Sequence, residues 1–257
     1  MRARDVRFFS TSKFLPHSQS PVHFKLADVL KPSVPLISEV VHHPFNLGVK
    51  KGNLPILVFK KYLEQDKHYL QKFAKSLHII SERLHEQNHQ QRFKTFSEEI
   101  IETEQELHEK YLKKLLPHSL FNRSKTTTIE ELPVVGSYTS YLFGQAEKEP
   151  VEEAVASHLS CFYVYMKLGE EIKAVHCLRD NRYWEWIRSY SSANFRLSTQ
   201  QMLSIFEELI APIQCPEKQA KISLAFLNAV EFEHAFFDAV YPKNNISCPA
   251  TFTAKYR

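Results

Sequence analysis

Residues 55–84 read PILVFKKYLEQDKHYLQKFAKSLHIISERL. Phe59, Tyr62, Leu63, Asp66, Tyr69, Leu70 and Phe73 recur at helical spacing and share one face. Lys60, Glu64, Lys67 and Lys75 fall on other faces, as a solvated surface requires. Pro55 suits the first turn, where its missing N–H is not needed. Gly52-Asn53 just upstream is a natural stop for a shorter helix. The stretch is one long amphipathic helix, and Asp66 is the residue out of place in it. A carboxylate among aromatic rings needs a partner or a ligand, and the partner expected without any function is a neighbouring tyrosine hydroxyl.

The same pattern extends in both directions. Pro32 and Pro35 punctuate short helices near 22–30 and 33–42. His43-Pro44 is a boundary, because the residue before proline avoids the helical region. A brief helix follows near 44–51. After the long helix, others are expected at about 89–116, 127–145, 151–174, 179–191, 196–212 and 216–240, with proline or hydroxyl residues at most junctions. Convincing alternating strands, internal repeats and low-complexity tracts are absent. The fold class is all-α, one helical domain over residues 22–241, with residues 1–21 as an N-terminal extension and 242–257 as a tail.

Composition narrows the function. The chain has 257 residues, of which 43% are apolar and 24% charged, so it can bury a sizeable core. Only five glycines are present, at Gly48, Gly52, Gly136, Gly144 and Gly169. A Rossmann fingerprint or P-loop would cluster several of them against a phosphate, so glycine-loop nucleotide folds are excluded. A net charge of +4 is too mild for a nucleic-acid stripe, and no apolar run is long enough to span a membrane. Cys161, Cys177, Cys215 and Cys248 form no C-x-x-C pair, which points to free thiols in a reducing, cytoplasmic setting. The first twenty residues carry Arg2, Arg4, Arg7 and Lys13 against Asp5, with several hydroxyls between. That composition fits a mitochondrial transit peptide or a plain tail.

Two further helices repeat the theme of Asp66. In the last one, Phe226, Ala229, Val230, Glu233, Phe236, Phe237 and Val240 form a stripe with Glu233 at its centre. An apolar setting raises the pKa of a carboxyl group, which suits a general acid as well as a buried partner for a tyrosine. In the 151–174 helix, Ala154, His158, Cys161, Tyr165 and Leu168 share a face. Cys161 reads as packing or as a nucleophile, and His158 as a satisfied core histidine or as its base. A single aromatic pocket holding all three groups would suit a flat heteroaromatic ligand.

The order of these residues resembles the TenA/thiaminase II family. The resemblance rests on His43-Pro44-Phe45, Gly52-Asn53-Leu54-Pro55, Phe59, Tyr62-Leu63-Glu64-Gln65-Asp66, Tyr69-Leu70 and Phe73-Ala74. It continues through Tyr138-Thr139-Ser140, Cys161 with Tyr165, Tyr183, Trp186-Ile187, Tyr190-Ser191 and Phe195, and closes on Phe226, Glu233 and Phe236-Phe237-Asp238. It implies the heme-oxygenase-like helical bundle without heme. It also implies aminopyrimidine aminohydrolase chemistry in thiamin salvage: conversion of 4-amino-5-aminomethyl-2-methylpyrimidine to the hydroxymethyl pyrimidine with release of ammonia, and in some members cleavage of thiamin. The resemblance makes Cys161 the nucleophile, Glu233 the group that holds or protonates a ring nitrogen, and Asp66 the acceptor for the 4-amino group and an aid in orienting Cys161. Tyr69 and Tyr165 would flank the ring, while Tyr138 and Tyr190 would supply hydroxyls. No metal and no organic cofactor is implied, and many members are homotetramers. The chain departs from the family at Tyr163 and Phe237, where tryptophan is usual, and at Lys167, where an acid is common. The first two of these along the chain, Tyr163 and Lys167, bear on pocket shape or subunit contacts.

Two rival readings stand beside this one. A di-iron oxidase of the same fold would draw ligands from Glu104 with His108, from Glu153, and from His234 with Asp238. Tyr241 stands where a further ligand would be expected, which counts against it. A non-catalytic pyrimidine-binding or regulatory module would have no need of the thiol.

Overall fold

His43 shows how local chemistry sets the boundaries of the helices: its ring Nδ1 accepts from the Phe45 N–H at 3.2 Å and caps the helix Pro44–Lys51. That helix ends on Gly52, whose φ of +71° is the left-handed cap that glycine adopts most easily. The computed structural model describes residues 24–105, 113, 129–173 and 180–241. The expected extension 1–21 and tail 242–257 lie outside them, as do His108 and the 106–112 and 114–116 parts of the helix expected to reach 116.

Among the described residues all regular structure is helical. In chain order the helices are α1 (Leu26–Leu30), α2 (Val34–Val41), α3 (Pro44–Lys51), α4 (Ile56–Arg83), α5 (Gln87–Gln105), α6 (Pro133–Lys148), α7 (Val151–Lys173), α8 (Trp184–Tyr190), α9 (Ala193–Ile210) and α10 (Pro216–Val240), with a 3-10 turn at Lys31–Ser33. A short turn folds α5 back along α4. The helix α7 packs along α10 on one side and α9 on another, and α6 closes against α4, α7 and α10. The shared core is dense in rings: Tyr62, Phe45, Phe59, Tyr183, Trp186, Phe226 and Phe237 are all fully or almost fully buried. No helix among the described residues is long and apolar enough to cross a membrane.

The helix expected near 22–30 starts at Leu26, and two others begin later than the sequence pattern predicts, each for a visible reason. The helix expected from 127 starts at Pro133. The Gln65 side chain binds both the Glu130 carbonyl (2.9 Å) and the Leu132 N–H (2.8 Å), which pins residues 130–132 as an extended strap over α4. The helix expected from 179 starts at Trp184. Asn181 accepts from the Tyr183 N–H (2.8 Å) and donates to the Val49 carbonyl (2.9 Å), spending those residues on a link to α3. Conversely α9 starts three residues early, because Ser192 accepts from the Phe195 N–H at 3.1 Å. At the far end of α4, the Arg83 guanidinium donates to the Ala146 and Glu149 carbonyls, where a cation suits the C-terminus of α6.

Candidate active site

A cavity of about 750 Å³ opens between α4, α5, α7 and the α8–α9 junction. The helix α4 contributes Asp66, Tyr69 and Phe73 to its wall, and α7 contributes Cys161, Phe162 and Tyr165. Tyr190 and Phe195 close it from the α8–α9 side. The stripes of α4 and α7 meet here, and α10 buries its ring-bearing face directly behind them. Five of the seven expected site residues, Asp66, Tyr69, Cys161, Tyr165 and Tyr190, stand in one wall.

The other two, Glu233 and Tyr138, are not part of that wall. They lie directly behind it, Glu233 against the Cys161 thiol and Tyr138 against Glu233. Tyr138 donates to Glu233 Oε1 at 2.9 Å, and its ring is sandwiched between Tyr69 and Phe232 at 5.0 and 5.1 Å. Tyr138 is thus the partner of Glu233, while Glu233 sits beside the Cys161 thiol. Burial pushes the Glu233 carboxyl up to about 8, and nearby Asp66 adds to the rise; Tyr138 and the thiol pull it partly back. Burial, then the Glu233 charge, push the Cys161 thiol well above the ordinary range. The Tyr69 hydroxyl stands near both the thiol and Tyr138 without a hydrogen bond of regular geometry, and its nearness favours the thiolate. At neutral pH the resting site therefore carries its proton on Glu233 and its proton on sulfur.

His158 is not the base for this thiol. It is fully buried, its Nδ1 donates to the Ala154 carbonyl at 2.8 Å, and its Nε2 lies 2.8 Å from Ser76 Oγ. Burial lowers its pKa to about 4, so it is neutral at physiological pH and tied into the α4–α7 contact. Tyr165 is held by a hydroxyl contact of 3.0 Å with buried Tyr62 and by its packing on Tyr190 at 4.6 Å. Gly169 fixes this corner: a Cβ there would meet the Tyr190 carbonyl oxygen at 2.4 Å, so only glycine lets α7 pass so close to the end of α8.

Of the di-iron alternative, Glu153 lies apart from His234 and Asp238, while His108 and the Glu104 side chain lie outside what the structure describes. Asp238 faces His43 at 3.4 Å and His234 at 3.9 Å, away from the cavity, while Glu153 sits at the start of α7 near Glu149 and Lys221. Among the described residues, no group of three His, Cys, Asp or Glu is placed to hold a metal ion. The three departures from the family pattern also fall outside the cavity wall. Lys167 pairs with Glu170 at 3.1 Å and lies over the Tyr163 ring, Tyr163 packs on Phe226, and Phe237 stacks on Tyr62. Tyr163 and Lys167 therefore do not shape the described cavity.

Residues 31–243 match the family model described as TENA/THI-4/PQQC. The chain belongs to that family. Among similar proteins, the aminopyrimidine aminohydrolase of Bacillus subtilis is 28% identical over 206 residues, which cover 80% of this chain and 84% of that one. The thiamine biosynthesis multifunctional protein of Corynebacterium efficiens is 28% identical over 203 residues, 79% of this chain but only 26% of that much longer one. The TenA homologue of P. horikoshii superposes with a TM-score of 0.72 at 23% identity, covering 85% of this chain and 98% of the other, and shows the shared fold. Within this TENA/THI-4/PQQC chain, sequence reasoning missed one part of the cavity. Arg92, Phe96 and Glu99 line it from α5, facing Ser198 on α9. Their i, i+4, i+7 spacing was the available signal, obscured by the polar residues around them.

Proposed function

We propose that this protein hydrolyses aminopyrimidines at the 5-methylene carbon, with Cys161 as nucleophile. The observation that carries the reading is the convergence of Cys161, Asp66, Tyr69, Tyr165 and Tyr190 on one cavity, with a raised-pKa carboxyl beside the thiol. The tyrosine rings offer flat faces for a pyrimidine, and Asp66 offers an acceptor for its 4-amino group. Sulfur adds to a ring carbon as the adjacent ring nitrogen takes the Glu233 proton. The Glu233 carboxylate so formed, beside the thiol, accepts the sulfur proton. Ring electrons then expel the amine from the 5-methylene, and the amine leaves with a proton. Water adds to the exposed methylene carbon, the carbon–sulfur bond breaks, and the thiol recovers its proton. Names of relatives such as the Bacillus subtilis aminohydrolase support the reaction class.

The test is ammonia release from 4-amino-5-aminomethyl-2-methylpyrimidine, run beside thiamin, with wild type and Cys161→Ser. Turnover by wild type that vanishes in the variant is the expected result. Equal turnover by both would remove Cys161 from the mechanism, and tight binding without turnover would favour a binding module. The homotetramer implied by the family is part of the same proposal, and light scattering of the purified chain checks it.

A further inference from the structure

We propose that Arg92, Glu99 and Ser198 form a leaving-group subsite at the α5–α9 end of the cavity. It selects uncharged substituents that both donate and accept hydrogen bonds, such as an alcohol or an amide, over phosphate esters. The inference rests on the aminopyrimidine reading and assigns the part of the cavity that reading leaves unused. A single substituted pyrimidine ring is far smaller than about 750 Å³, a volume in the upper half of the range for drug-sized ligands. The α5–α9 end and the thiol line one cavity together with Phe96 and Phe162, whose ring centroids lie 5.3 Å apart.

The three polar residues are fixed before any ligand arrives. Arg92 forks onto Glu99 with contacts of 2.9 and 3.2 Å, the bidentate geometry that fixes a guanidinium. Ser198 accepts from Arg92 at 2.9 Å and donates to Glu99 at 3.0 Å, so α9 locks the pair. The Phe96 ring supports the guanidinium from 4.0 Å. Arg92 Nε is buried without a hydrogen-bond partner, which leaves one donor to be satisfied. The charges of Arg92 and Glu99 cancel. An incoming hydroxyl or amide finds a donor and an acceptor side by side, whereas the neutralised pair offers a phosphate no net positive charge.

The test uses Cys161→Ser protein, the variant expected to bind substrate without turning it over. Dissociation constants are measured by calorimetry for 4-amino-5-aminomethyl-2-methylpyrimidine, thiamin and thiamin phosphate. Thiamin is expected to bind about tenfold more tightly than its phosphate. Adding Glu99→Gln is expected to shrink that ratio about fivefold, and adding Ser198→Ala to weaken thiamin about fivefold relative to the aminomethyl pyrimidine. Ratios that stay within about twofold in both variants overturn the subsite, even if all three affinities fall together, because a purely structural tie between α5 and α9 would act that way. Should either variant fail to fold, Arg92→Lys keeps the charge, loses the fork and is read by the same ratios. Absence of binding by all three pyrimidines is a different pattern, and it would remove the parent reading along with the subsite.

Discussion

The two ends of the cavity handle charge in opposite ways. At the inner end, burial holds Glu233 and Cys161 in their neutral, protonated forms, with Tyr138 and Tyr69 beside them. At the outer end, Arg92 and Glu99 are joined as a bidentate ion pair. An acid whose pKa stands near the working pH can move a proton in either direction, whereas a locked ion pair can only recognise. On the proposed reading, reaction and selection use different residues of one cavity, which Phe96 and Phe162 also line.

The largest effect that would break this contrast is at Glu233. Glu233→Gln is expected to lower kcat about 10²-fold or more. In wild type, kcat should fall as pH rises through about 8, since the carboxyl must hold its proton to give it to the ring. The sign for stability follows from the same shift. The folded chain binds this proton more tightly than the unfolded chain, so the stabilisation is complete below about pH 4.5 and is lost as pH rises toward about 8. Glu233→Gln should therefore melt higher than wild type above pH 8, by an amount on the order of a few kcal/mol in unfolding free energy. Thermal unfolding across pH 5–9 checks this, and parallel melting curves would contradict it.

A smaller effect is expected at Gly169, where the added methyl of Gly169→Ala would strike the Tyr190 backbone. Overpacking of this kind costs about 1–3 kcal/mol. Displacement of Tyr190 should appear as a rise in KM of about tenfold or less, with kcat changed less, in steady-state kinetics. Tyr138→Phe sharpens the comparison further. It removes the hydrogen bond that restrains Glu233, so the alkaline limb of the pH–rate profile should move to higher pH. The smallest effect is at Lys167, outside the cavity wall on the Glu170 and Tyr163 side. Lys167→Glu should change kcat/KM by less than about twofold.

The inner end was legible in the sequence, and the outer end was not. Asp66, Cys161 and Glu233 each interrupt an apolar stripe, and an interruption of that kind is visible from periodicity alone. Arg92 and Glu99 interrupt nothing, because the surrounding residues of α5 are themselves polar. Their role depends on Ser198, more than ninety residues along the chain, and local spacing carries no record of such a contact. The helix starts at Pro133 and Trp184 were hidden for the same reason. The side chains of Gln65 and Asn181 fix them, and each works through tertiary hydrogen bonds to another segment. Tyr138 was expected at the site, but its placement as the partner of Glu233 required the packing of α6 on α10.

The most direct test of the central claim is to quench wild-type protein during turnover of 4-amino-5-aminomethyl-2-methylpyrimidine and map the covalent adducts by peptide mass spectrometry. A pyrimidine adduct on the peptide carrying Cys161, absent from Cys161→Ser, is the predicted result. Sustained turnover with no adduct on that peptide, and with the variant as active as wild type, would contradict the account.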